Sequence, residues 1–184
     1  MELESVIQKR RSIRKFLARD VENEKMEKIL ECARVCQSAK NRQPWRFMVL
    51  KGEQKDHVAQ IMLNLFEQND IEIPNYVNSS KNSARVIKEA PVFILVFRQD
   101  DDDHWMTGDL LSIGAAVEHI CLEAVNLGLG ALWIRDTVYT QKEICQSVGC
   151  ESMQLVCSIA IGYPAESPNP RPRKPMNEIL LKAK

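Results

Sequence analysis

No stretch of this chain is apolar for long enough to cross a bilayer. The longest apolar run, Ala90 to Phe97, spans eight residues, whereas a membrane helix needs about twenty. The first thirty residues alternate charged and apolar positions and contain no secretory leader core. A soluble cytoplasmic protein with no membrane partner is therefore expected. Neither sign of charge is in excess, with 25 basic and 25 acidic residues. This argues against a general nucleic-acid or membrane-surface binder and makes any anion site local. The three histidines, His57, His104 and His119, show no ligand spacing to the six cysteines, and no CxxC pair occurs. No metal site is expected, and the cysteines read as reduced thiols packed in a core. GxSxG, HExxH and P-loop motifs are all missing. Gly128-Leu129-Gly130 closes a helix instead of opening one, which rejects a dinucleotide fingerprint. An enzyme without an evident acid, base or nucleophile points to a cofactor as the carrier of the chemistry.

The pattern that is present belongs to one α+β domain of 184 residues, 45% hydrophobic, with no repeat and no linker. Apolar spacing predicts helices over 2–9, 22–38 and 54–69, a short one over 83–89, and others over 109–127 and 140–148. Strands are expected over 46–51, 91–97, 131–134 and 153–161. Residues 70–80, with Pro74 and several Asn and Ser, read as a loop, as does the acidic run 99–103. The apolar run 91–97 suits a central strand covered on both faces. Thr140 with Glu143 reads as a capping box. Over 109–127, Asp109, Ser112, His119, Glu123 and Asn126 leave only a thin polar stripe. That helix is expected either at the centre of the core or against a second subunit. A helical turn is expected over 176–181.

Arg10-Arg11-Ser12-Ile13-Arg14, at the end of the first helix, is a dense anion-binding cluster, and Arg171-Pro172-Arg173-Lys174 is a second. Guanidinium forks suit phosphate oxygens. Chain termini often lie close together, so both clusters are expected to hold one phosphate. A third element, Ser38 to Trp45, offers hydroxyl and amide groups at a helix-to-strand junction, as a flavin or base edge requires.

Together these elements resemble the flavin-dependent nitroreductase family. The likeness rests on Arg10-Arg11-Ser12-Ile13-Arg14, on Ser38-Ala39-Lys40-Asn41-Arg42-Gln43-Pro44-Trp45, on Leu127-Gly128-Leu129-Gly130-Ala131-Leu132-Trp133, and on Gly162-Tyr163-Pro164 with Arg171 and Arg173. The resemblance implies a central mixed β-sheet flanked by helices in an intertwined homodimer, with FMN at the subunit interface. It implies that Arg10, Arg11, Ser12 and Arg14 hold the phosphate and the polar edge of the flavin, and that Arg171 and Arg173 close on the phosphate. Ser38, Ala39 and Asn41 would come from the second subunit, and Trp133, Ile134 and Arg135 would run beneath the ring. The tail 164–184 would pack on the partner. The implied activity is a two-step transfer from NADH or NADPH to a nitroaromatic, quinone or related small acceptor. Alternatives are a flavin-dependent dehalogenase or enone reductase, or a flavin-binding redox sensor without turnover. The chain departs from the pattern at Gln37, Lys40, His119 and Arg135-Asp136.

Overall fold

The computed structural model describes all residues except 68–73, 100–101, 182 and 184. The elements run α1 (Leu3–Lys9), α2 (Asn23–Arg34), β1 (Trp45–Leu50), α3 (Gly52–Glu67), α4 (Pro74–Glu89), β2 (Val92–Gln99), α5 (Met106–Asn126), β3 (Gly130–Ile134), α6 (Gln141–Val148), β4 (Met153–Gly162) and α7 (Met176–Ile179). The strands form one sheet in the order β1-β2-β4-β3.

The alternation of β2 explains the layering. Val92, Ile94 and Val96 face one core with α2, α5, Ile159 and Ile161. Phe93, Leu95 and Phe97 face a second core with buried residues of α3, α4 and α6. Side chains of a strand point alternately to opposite faces, so a continuous apolar run is what a strand between two helical layers requires. α5 closes the first core through Ile113, Ala116, Val117, Ile120 and Ala124, all fully buried.

Four expectations change. The sheet was expected to be mixed, but its strand pairs are all antiparallel, and parallel pairing enters through an isolated bridge, Ser12 with Ala131. The loop expected over 70–80 gives way from Pro74 onward to α4, while 70–73 lie outside the described residues. Proline suits a first helical position, and burial of Ala84, Val86 and Ile87 overrides the polar composition before them. Thr140 forms no side-chain cap on α6. A 3-10 turn over Asp136–Thr140 precedes that helix, and the Thr140 hydroxyl donates to the Thr137 carbonyl at 3.4 Å instead. Finally, Asp109 and Ser112 are buried rather than part of a solvent stripe. No helix among the described residues is long and apolar enough to cross a membrane.

Candidate functional site

α1 ends at Lys9 with Arg10 as its cap, and the next residues lie along the outer edge of β3. The Ile13 amide donates to the Ala131 carbonyl at 3.0 Å. Gly130 makes this approach possible, because a Cβ there would stand 2.6 Å from Ile13. Phe16 bridges Pro164, the Leu17 amide donates to the Tyr163 carbonyl at 2.8 Å, and the Ala165 amide donates to the Lys15 carbonyl at 2.9 Å. The Arg14 amide donates to Glu166 Oε1 at 2.5 Å. These contacts stitch the start of the tail to the N-terminal segment. They leave Arg10, Arg11, Ser12 and Arg14 facing Arg171 and Arg173 across a cavity of about 620 Å3. The two basic clusters therefore meet as expected. Among the described residues only Arg10 of these five arginines is ion-paired, with Glu118 at 3.2 Å.

Arg14 also lines a neighbouring cavity of about 580 Å3, with Trp133, Ile134 and Arg135 on one wall and residues of α4 on another. In an antiparallel pair the backbone groups of alternate residues point to the same edge. Ala131 turns its carbonyl outward to Ile13, so Trp133 presents its N–H and C=O on that edge too. Trp133 itself is 44% exposed.

Ser38, Ala39 and Asn41 do not join this pair of cavities within one chain. Ser38 and Ala39 line a separate groove of about 340 Å3 with Leu111 and Ala115 of α5. Their loop carries three left-handed non-glycine residues, Lys40, Asn41 and Gln43. Such conformations persist only where surroundings enforce them. Here the Ala39 amide donates to Ser112 Oγ at 3.0 Å, the Gln43 amide to Ser38 Oγ at 3.0 Å, and Arg42 Nε to Asp109 Oδ1 at 3.0 Å.

The nitroreductase family model matches residues 7–163. The chain belongs to the nitroreductase family. A relative from Methanothermobacter thermautotrophicus, provisionally named an NADH dehydrogenase/NAD(P)H nitroreductase, is 30% identical over 93% of this chain and 82% of its own. An iodotyrosine deiodinase from Thermotoga neapolitana is 24% identical over 98% of this chain and 96% of its own. A provisionally named nitroreductase from Desulfovibrio desulfuricans, solved in complex with FMN, superposes with a TM-score of 0.81 at 26% identity, covering 100% of this chain and 98% of that one.

Sequence reasoning missed the anchor of the Ser38 loop in this nitroreductase-family chain. Asp109 is fully buried and also accepts from Arg98 Nε at 3.1 Å, and Arg98 is itself fully buried. The signal was available. Asp109 falls in register with Ile113, Ala116 and Ile120 on the buried stripe of α5, and a carboxylate there demands a paired cation. The α4 lining residues Ser83 and Arg85 were missed because they fall in the short helix expected over 83–89 and belong to no motif that marks a site. Cys36, Cys121, Cys145 and Cys157 are buried as core while Cys32 and Cys150 are half-buried; burial pushes the Cys121 and Cys157 thiols up to about 12, so neither supplies a thiolate near neutral pH.

Proposed function

We propose that this chain is an FMN-dependent NAD(P)H oxidoreductase that works as a homodimer and reduces nitroaromatics, quinones or related small acceptors. The observation that carries the reading is the junction at Arg14. One cavity gathers five arginines, and the adjoining one runs along a strand edge with free-facing backbone groups. A phosphate in the first and a flat heterocycle in the second fit this donor set, because guanidinium forks match phosphate oxygens and a strand edge offers alternating donors and acceptors. FMN bound there would supply two-electron redox chemistry between NAD(P)H and an acceptor. The chain's own residues bind and orient. Arg10, Arg11, Ser12, Arg171 and Arg173 hold the phosphate. Arg14 places a fixed positive charge at the polar edge of the ring, which favours a reduced, anionic state. The Trp133 backbone offers a donor beneath the ring, flanked by Ile134 and Arg135.

Ser38, Ala39 and Asn41 reach the ring of the partner's cofactor. The separation of their groove from Arg14 within one chain supports that assignment. So does α5, whose Leu111 is 72% exposed beside Ala39. The tail packs on the partner as well, through Met176, Ile179, Leu180 and Leu181, all exposed in the single chain. A second reading, reductive dehalogenation at the same site, is favoured by the deiodinase relative and is separated by profiling turnover across acceptor classes.

The first test is the visible spectrum of the purified protein, followed by anaerobic addition of NADH and then NADPH. A flavin spectrum that bleaches with either nucleotide is expected. A colourless protein that fails to take up added FMN would overturn the proposal.

A further inference from the structure

The cavity along β3 holds more positive charge than the cofactor accounts for. Its lining includes three arginines, Arg14, Arg85 and Arg135, against a single acidic residue, Asp136. The Asp136 carboxylate is engaged by a hydroxyl, since Ser83 Oγ donates to it at 2.7 Å. Arg135 donates to the Tyr139 hydroxyl at 3.0 Å and lies 5.6 Å from the centre of that ring. Both are neutral partners, and Arg135 has no ion pair among the described residues. Arg85 pairs with Glu89 at 3.3 Å, but the two side chains are 53% and 39% exposed, and so open a pair is readily surrendered to a better-placed anion.

In the reading above the side chain of Arg14 belongs to the cofactor and residues 133–135 serve it through their backbone, so the guanidinium groups of Arg85 and Arg135 remain. They reach the cavity from two different elements, α4 and the turn after β3. The wall between them includes Val86, Leu132 and Trp133. Two guanidinium groups over a partly apolar wall fit a flat ring bearing a carboxylate. We propose that Arg85 and Arg135 form an oxyanion-recognition pair that selects an aromatic electron acceptor carrying a carboxylate. This rests on the assignment of the chain as an FMN-dependent oxidoreductase. The donor's phosphates could offer similar chemistry. However, they lie beyond a ribose from the reacting nicotinamide, whereas these arginines share a cavity with the strand edge where the reaction occurs.

The test uses the FMN-loaded full chain with 4-nitrobenzoate and its neutral counterpart 4-nitrobenzamide. Each turnover moves one hydride from NADH and one solvent proton (H+) to the nitro group, giving a nitroso group, water and NAD+. In a two-step cycle kcat/KM for the acceptor reports only the acceptor half-reaction. The ratio of kcat/KM for the carboxylate over the amide is expected above one and falling with ionic strength. Arg85→Gln and Arg135→Gln are each expected to cut that ratio by about threefold to fivefold, whatever happens to the absolute rates. A ratio at or below one in the unmodified protein overturns the proposal, as does a ratio that neither substitution moves. Substitutions that raise KM for NADH and leave the acceptor ratio intact assign the arginines to the donor's phosphates and also overturn it. Failure of the underlying assignment looks different: no NADH oxidation with either compound or with a neutral quinone. In that case calorimetric affinities of the two nitro compounds still decide whether the arginines select the carboxylate.

Discussion

Asp109 shows how one buried charge organises a distant surface. It joins Arg98 at the end of β2 to Arg42 in the Ser38 loop, and Arg42 also lies 5.0 Å from the centre of the Trp105 ring. Arg98 extends the network to the Asp102 carbonyl at 2.5 Å. Because Asp109 and Arg98 are both fully buried, removing the carboxylate strands a charge in the core. Asp109→Ala is expected to cost about 3–5 kcal/mol in urea unfolding. It should also lower FMN affinity by releasing the loop that carries Ser38 and Ala39. A variant of unchanged stability would show that Asp109 is no anchor.

At the scale of elements, the start of α2 is clamped to the end of β4. The Tyr163 hydroxyl donates to both Glu22 oxygens at 2.9 and 2.8 Å and accepts from Lys25 Nζ at 2.7 Å, while Arg19 sits 3.9 Å from the ring centre. Glu22's own backbone N–H and the Tyr163 hydroxyl, with smaller help from Lys25 and Arg19, hold the carboxyl at about 2, against an ordinary 4.5. A depressed carboxyl contributes stability that is fully present above the ordinary value and is lost as pH falls through the folded one. Tyr163→Phe is therefore expected to lower the melting temperature most above pH 4.5, with the gap from the unmodified protein narrowing toward pH 2. A gap independent of pH would rule out the carboxylate as the partner that matters. The same scale shows what the sequence made legible. The continuous apolar run of β2 and the stripe of α2, with Met26, Ile29 and Ala33 buried, were readable because side-chain spacing reports burial directly. Only the end of α4, over 83–89, was legible, because its first turns are polar and its helicity comes from packing against α3.

At the scale of the whole molecule, the proposed dimer would cover apolar residues that the single chain leaves exposed. Leu111 borders the groove holding Ser38 and Ala39, and Leu3 and Ile7 of α1 are exposed as well. Light scattering of the FMN-bound protein is expected to give twice 21.1 kDa. Leu111→Glu is expected to shift the protein toward the single-chain mass and to lower FMN occupancy in parallel, because a charge at a dimer core is costly to desolvate. Loss of the dimer with full retention of FMN would remove Ser38 and Ala39 from the cofactor's contacts.

The sequence by itself determined the layering, through the continuous apolar run of β2. It also determined the end of α5, where Gly128 takes a left-handed φ of +76°, and the identity of the arginines that line one cavity. These are local properties, fixed by periodicity, backbone freedom and side-chain charge. Only the tertiary structure decided that Arg10, Arg11, Ser12 and Arg14 share a cavity with Arg171 and Arg173, that Asp109 is an internal anchor, and that Ser38 and Ala39 line a groove apart from their own chain's Arg14. Those outcomes depend on close approaches between distant segments, such as Ile13 on Gly130 and Phe16 on Pro164. Backbone pairing across more than a hundred residues leaves no periodic trace in the chain that makes it.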